Sequence, residues 1–152
     1  MVEKNINTKE YWDKRWRENP MLSRKLEKLL MAAVYPELSV LDIGCGTGRI
    51  LRGLRKDKDC RVYGIDISQV SIDMLKRQGI NGEVANAEDL DFFRGKFDVV
   101  IISHTLEHID NDDKLIMNIA RITDCYALIA VPNNMIPPEE EKEHRQLCSL
   151  AN

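Results

Sequence analysis

A short apolar run that ends in alternating glycines constrains the fold of this chain most. Ser39–Ile43 is mostly apolar, and glycines follow it at positions 44, 46 and 48. Such a run is typical of a buried parallel strand that ends in a tight turn. A helix predicted over Arg49–Lys56 would point its free N–H groups at the turn, where they could bind an anionic group. The turn therefore favours a ligand site, although a glycine-rich turn that binds nothing has the same pattern.

The spacing of the glycines distinguishes two kinds of ligand site. A nicotinamide or flavin dinucleotide site uses G-x-G-x-x-G, and its third glycine would fall on Arg49. The glycines here follow G-x-G-x-G instead. This spacing disfavours a dinucleotide-dependent oxidoreductase.

Strands and helices are predicted to alternate after the first strand, which indicates βαβ units and a parallel sheet. Two helices precede the alternation. The first is capped by Asn7 and carries Trp12 and Trp16 on one face, and the second covers Met21–Val34. The tryptophans either pack on the core or form a lid over a ligand site. The predicted strands are Ser39–Ile43, Cys60–Ile65, Gly82–Ala85, Phe97–Ile102 and Cys125–Val131; the later helices are Arg49–Lys56, a Ser68-capped helix to Gln78, Asn111–Ile122 and a short tail helix near Glu139–Leu147.

Composition limits the function classes. The chain has 152 residues, enough for one domain, and its net charge of -3 argues against a general nucleic-acid binder. No apolar run approaches the ~20 residues of a membrane helix. Four cysteines without C-x-x-C spacing, and a charged N-terminal segment, favour reduced thiols in a cytoplasmic protein.

A carboxylate is predicted beside the glycine turn. Asp66 ends the second strand and lies about 20 residues beyond the glycines, the offset at which an acid meets ribose hydroxyls in nucleotide sites. A carboxylate can accept hydrogen bonds from both hydroxyls. The alternative is that Asp66 serves only as a turn residue before Ser68.

Five segments in order resemble the motifs of class I S-adenosylmethionine-dependent methyltransferases, and the resemblance covers residues 38–134. These segments are Asp42–Gly48, Tyr63–Ser68, Asn86–Leu90, Phe97–Ser103 and Ala127–Asn133. The resemblance implies a three-layer α/β/α sandwich with strand order 3-2-1-4-5, lacking the usual last two strands. It also implies one domain over 1–152, with N-terminal helices in 1–36, a cofactor-binding core in 38–134 and a short tail in 135–152.

The resemblance also implies the residues that bind S-adenosylmethionine and its product S-adenosylhomocysteine. The glycine turn would pass under the methionine part, with one acid near the ammonium group and Asp66 on the ribose. Other residues would contact the adenine or flank the sulfonium. In chain order the implied set is Asp42, Gly44, Cys45, Gly46, Gly48, Asp66, Ile67, Asn86, Ala87, Ser103 and His104.

The implied reaction is methyl transfer by in-line displacement, which rests largely on alignment and needs no metal. If the acceptor must lose a proton, His104 and His108 are the candidate bases, because imidazole titrates near neutral pH, and His104 is favoured. The alternative is that His104 only shapes the pocket and His108 caps or packs on the sheet. The segment from His104 to His108 also matches H-x-x-E-H, a zinc-protease pattern. That match lacks the expected structural context, so we predict no metal there.

The sequence also predicts what the chain binds. A small molecule is the predicted acceptor, since no basic face suggests nucleic acid. A non-catalytic S-adenosylmethionine-binding module or partner subunit is the alternative. The fifth strand would be a long apolar sheet edge, which is a liability unless it is covered. We therefore predict a homodimer through that edge.

Overall fold

A parallel five-stranded sheet organises the computed structural model, which describes residues 7–18 and 24–132. The strands lie in the order β3-β2-β1-β4-β5, and every neighbouring pair is parallel. The strands are β1 Ser39–Ile43, β2 Arg61–Asp66, β3 Asn81–Val84, β4 Phe97–Ser103 and β5 Thr123–Ala130. The predicted strand order is therefore confirmed.

Strand bounds agree with the predicted ones to within one residue, except at the start of β5. The bounds of β1 are those predicted. At one edge, β3 begins one residue earlier than predicted. At the other, β5 begins at Thr123 rather than Cys125, because Thr123 pairs with Phe97 at the start of β4. The helix that precedes β5 runs directly into it without a loop.

Within residues 7–18 and 24–132, five α-helices and a short 3₁₀ helix accompany the sheet. They are α1 Lys9–Glu18, α2 Arg24–Ala32, α3 Arg49–Lys58, α4 Gln69–Arg77, the 3₁₀ helix Leu106–His108 and α5 Asp112–Ile122. Ser68 caps α4 as predicted, because its side chain accepts a hydrogen bond from Ser71 N. None of the helices in 7–18 and 24–132 is long and apolar enough to cross a membrane.

The prediction that Asn7 caps the first helix is wrong. Thr8 Oγ1 accepts the hydrogen bond from Tyr11 N at 3.2 Å, so Thr8 is the capping residue. Asn7 Oδ1 instead accepts from the indole N–H of Trp12 at 3.2 Å. Thr8 is one residue closer to the first helical turn than Asn7. Its shorter side chain, rather than that of Asn7, therefore accepts a hydrogen bond from a free backbone N–H of that turn.

Helices cover both faces of the sheet, which gives the predicted three layers. Val40, Val99 and Ile101 point into a buried cluster with α2, α3 and α4. Their neighbours Leu41 and Val100 point into a second cluster with α5 on the opposite face. Alternate strand residues thus face opposite layers, as both faces are buried.

In the sheet formed by the described residues, β5 is one edge strand and β3 is the other. Ile129 on this strand and Val131 just beyond it are 45% and 48% exposed. The predicted tail helix near Glu139–Leu147 lies outside the described residues.

Candidate functional site

A cleft of about 500 Å³ opens at the carboxyl ends of the strands. Residues from four strand ends line it, as expected for an open α/β sheet. Those that the sequence singled out are Gly44 after β1, Asp66 and Ile67 at the end of β2, Asn86 and Ala87 after β3, and His104 after β4. The structure thus brings together residues up to 60 positions apart in the chain.

The three glycines of the turn make room for three different neighbours. All have positive φ, at 74° for Gly44, 50° for Gly46 and 73° for Gly48. A Cβ on Gly44 would lie 2.1 Å from Thr105 Oγ1, one on Gly46 2.7 Å from the Trp16 ring, and one on Gly48 2.2 Å from Leu75 Cδ1. Gly44 lines the cleft, Gly46 lies beneath Trp16, and Gly48 packs on α4.

The Asp66 carboxylate is fixed by the backbone around it. It is 5% exposed. Its Oδ2 accepts from Gly46 N at 2.8 Å and its Oδ1 accepts from Ser68 N at 2.9 Å. Burial raises its pKa to about 6, against the opposing effect of these hydrogen bonds. Each oxygen keeps a lone pair for a further donor in the cleft.

Asp42 lies on the other side of the turn from this cleft. It lines a smaller cavity of about 280 Å³ together with Cys45 and Ser103, and Gly44 lies in the walls of both cavities. Burial, and then the nearby Asp66 carboxylate, raise the pKa of Asp42 to about 7. Burial also raises the pKa of the Cys45 thiol, so this group stays neutral. The predicted residues therefore divide between two adjoining cavities, except Gly46 and Gly48, which line neither.

The segment after β4 brings His104 into the cleft. Its φ is 54°, in the left-handed region, and its N–H donates to Ala130 O at 2.9 Å. The next residue, Thr105, ties two strand ends together, because its hydroxyl donates to Ile43 O at 3.1 Å. The His104 side chain is 28% exposed, and its Nδ1 lies 3.4 Å from Oε1 of the buried Glu107.

The H-x-x-E-H match does not form the helix that a zinc-protease site requires. His104 is in the left-handed region, outside the 3₁₀ helix that ends at His108. The His108 ring packs against Trp12, with centroids 4.9 Å apart. Within 7–18 and 24–132, the acidic, histidine and cysteine side chains that lie close enough to share an ion are those of Asp98, Asp124 and Cys125. Those three lie at the amino ends of β4 and β5, away from the cleft.

Helix α1 supplies an aromatic wall that the motifs do not identify. Trp12 and Trp16 both line the cleft, and their rings stack with centroids 6.1 Å apart. Asp13 docks the helix, because its Oδ1 accepts from Ser68 Oγ at 2.5 Å and from Val70 N at 3.1 Å. Trp16 is 9% exposed, so it is both a core residue and part of the cleft.

Little in the sequence indicated that certain other residues line the cleft. Thr105 has no pattern around it that predicts its contact with Gly44. Asn7 was predicted as a helix cap, and it lines the cleft instead. The i, i+4 spacing of the tryptophans predicted their common face and left open whether that face packs on the core or covers a ligand site.

Comparisons with known proteins identify a methyltransferase domain. Residues 41–126 match the sequence profile described as a methyltransferase domain. Ajmaline N-methyltransferase of Rauvolfia serpentina is 28% identical over 84% of this chain and 52% of its own length. The chain spans about half the length of the curated relatives it matches.

Solved structures with similar folds include two methyltransferases. A TehB-like S-adenosylmethionine-dependent methyltransferase from Corynebacterium glutamicum superposes with a TM-score of 0.64 at 24% identity, over 80% of this chain and 71% of its own. Magnesium protoporphyrin IX methyltransferase from Synechocystis, with bound S-adenosylmethionine, gives a TM-score of 0.64 at 20% identity, over 82% of this chain and 73% of its own. At these identities the likeness concerns the fold.

Proposed function

Because the chain belongs to the class I S-adenosylmethionine-dependent methyltransferases, we propose that it binds this cofactor in the cleft and transfers the methyl group to a small molecule. The observation that carries the proposal is the cleft itself. It places a buried carboxylate, Asp66, between the glycine turn and the apolar side chains of Ile67 and Ala87. A nucleoside needs both a polar ribose contact and an apolar surface for its base.

The residues present fit the cofactor. Asp66 would hold the ribose hydroxyls with its free lone pairs, while Ile67, Asn86 and Ala87 would surround the adenine. Gly44 has no side chain, so its backbone can approach the ligand closely. The adjoining cavity would let Asp42 and Ser103 act on the methionine part from across the turn.

The cofactor supplies a methyl group on a sulfonium, whose leaving group is neutral. The chain would hold the donor and acceptor in line and exclude water from the cleft. The His104 Nδ1 faces Glu107, so its Nε2 is the nitrogen that could take a proton from the acceptor. This reaction needs no metal, and we propose that none is bound at His104 and His108.

The acceptor is proposed to be a small organic molecule. Ajmaline N-methyltransferase, the relative with 28% identity, is named for such an acceptor. The net charge of -3 gives no general attraction to nucleic acid. Methyl transfer to a panel of amines and phenols would support this proposal. Binding without turnover on any acceptor would favour the non-catalytic binding module.

We also propose that the N-terminal helices and the core act as one domain, since α1 lines the cleft. A cytoplasmic location is supported by Cys45, Cys60 and Cys125, which are free cysteines. A homodimer through the β5 edge is supported by the exposed apolar side chains of Ile129 and Val131.

Replacing Asp66 tests the proposed site. Asp66→Ala should weaken S-adenosylmethionine binding by roughly 1.5–3 kcal/mol, the scale of a hydrogen bond to a charged group. Calorimetry would measure the affinity, and circular dichroism would check that the variant folds. Asp73→Ala on the exposed face of α4 is the control and should bind normally. An unchanged affinity in Asp66→Ala would remove this residue from the ribose site.

A further inference from the structure

The indole N–H of Trp16 is a buried donor without an acceptor among the described residues. Its Nε1 is inaccessible to solvent, and the whole side chain is 9% exposed. A buried polar group in this state destabilises the fold relative to a hydrogen-bonded one. Trp12, one turn earlier on the same helix, differs because its N–H donates to Asn7 Oδ1.

The unpaired N–H lies at the glycine turn. The Cζ2 and Cη2 atoms of Trp16 would be 2.7 Å from a Cβ on Gly46, so the ring packs directly on this glycine. Nε1 is two bonds from Cζ2, which places the N–H near Gly46. It is therefore near the glycine turn, where the methionine moiety is expected.

Neighbouring residues hold the ring that carries this donor, and a ligand reaches the N–H only after a small displacement of the atoms that cover it. The Trp16 ring stacks on Trp12, whose ring in turn packs edge-on against His108 at 4.9 Å. Asp13 attaches the helix to the start of α4 through Ser68 and Val70. A donor held in this way loses little freedom when it forms a hydrogen bond.

Few strong donors for an anionic group line the cleft. Among the described residues that line it there is no lysine or arginine, and the buried Asp66 carries negative charge when ionised. Arg49 lines the adjoining cavity, where its guanidinium pairs with Glu27 at 2.9 Å. A ligand carboxylate would therefore depend on ring N–H donors such as the Trp16 indole and the imidazoles of His104 and His108. An indole N–H is such a donor, and it keeps its proton at every accessible pH.

We infer that the Trp16 Nε1–H donates a hydrogen bond to the carboxylate of the methionine part of the bound cofactor. This inference rests on the proposed function. It makes Trp16 a specificity-determining residue, because only ligands with the carboxylate satisfy the buried N–H. Ligands without it would leave the donor unpaired.

A matched pair of ligands and a matched pair of variants test this assignment. Decarboxylated S-adenosylmethionine lacks only the carboxylate and keeps the sulfonium and ammonium groups. Calorimetry would compare its affinity with that of S-adenosylmethionine in the wild-type chain, in Trp16→Phe and in the control Trp12→Phe. In the wild-type chain S-adenosylmethionine should bind more tightly. In Trp16→Phe this preference should shrink about tenfold, because hydrogen bonds to charged groups have that strength.

Trp12→Phe makes the same ring change on the same helix, but it removes a donor that is already paired. It should therefore leave the preference for the carboxylate within about twofold of wild type, even if both affinities fall.

A second readout needs no variant. In the wild-type chain with ¹⁵N-labelled tryptophan, the Trp16 Nε1–H resonance should move downfield with S-adenosylmethionine and stay in place with the decarboxylated ligand.

The results that would contradict this inference differ from the result that would contradict the proposed function. An unchanged preference in Trp16→Phe, or the same Trp16 resonance shift with both ligands, would overturn it and leave the cofactor site intact. If the wild-type chain binds neither ligand, the proposed function fails together with the inference.

Discussion

Two buried carboxylates at the glycine turn have pKa values that link folding to pH. The carboxylate of Asp42 is 2% exposed, and its pKa is raised to about 7 by burial and then by Asp66. An unfolded aspartate has a pKa of about 3.9. Between these values the folded chain keeps a proton that the unfolded chain has lost. Stability should therefore fall as pH rises from about 4 to above 7.

Replacing Asp42 should reveal this effect. Asp42→Asn removes the buried charge, so the free energy of unfolding at pH 8 should rise by at least about 1 kcal/mol, since one pKa unit is about 1.4 kcal/mol. The gain should shrink towards pH 5, where the wild-type group is protonated. Urea unfolding at both pH values measures it. Asp91→Asn is the control, because that side chain is 79% exposed.

The same variant should bind S-adenosylmethionine less tightly, because the ligand ammonium would lose a negative partner. A stability gain combined with weaker binding is the expected signature of a charge kept for function. If Asp42→Asn were less stable than wild type at pH 8, the carboxylate would instead be structurally required.

Among the elements, β3 depends on two glycines that let strands and helix approach closely. A Cβ on Gly82 would lie 2.4 Å from the carbonyl oxygen of Gly64 on β2, and 2.6 Å from Leu75 on α4. A backbone atom cannot move aside as a flexible side chain can. Because Asn86 and Ala87 follow β3 directly, displacement of this strand also displaces a wall of the cleft.

Gly82→Ala should therefore destabilise the chain by about 1–3 kcal/mol, the usual cost of overpacking. Thermal unfolding would measure the loss, and S-adenosylmethionine binding should weaken as well. Gly95→Ala is the matched control, since a Cβ on Gly95 would meet no other atom within 4 Å among the described residues. A Gly82→Ala variant as stable as this control would show that β3 can shift freely.

Local sequence predicts these elements well where neighbours along the chain determine them. The bounds of β1 and the cap of α4 at Ser68 follow from the apolar run and the hydroxyl side chain. The start of β5 does not, because it depends on pairing with β4. The motifs likewise identify Asp66. They do not identify the contact between Trp16 and Gly46, which depends on how α1 docks to a distant part of the chain.

At the scale of the whole molecule, the proposed homodimer would form through the exposed edge of β5. An apolar edge strand that is exposed tends to pair with another chain. Ile129 is 45% exposed on this edge, within the described residues. We therefore expect a dimer in light scattering after size exclusion. Dilution should dissociate it.

Ile129→Lys should shift the chain towards monomer, because it places a charge in the proposed interface. Val84→Lys is the control, since Val84 is 38% exposed on β3, at the opposite edge of the sheet. A wild-type monomer at high micromolar concentration, with its β5 amides still protected from hydrogen exchange, would rule the dimer out.

Calorimetric titration of the wild-type chain tests the central claim most directly. The cleft built around Asp66 and the G-x-G-x-G turn should bind S-adenosylmethionine and S-adenosylhomocysteine in a one-to-one complex. NAD should not bind, because Arg49 stands where a dinucleotide site requires its third glycine. Binding of NAD, with neither adenosyl ligand bound at millimolar concentration, would contradict the account.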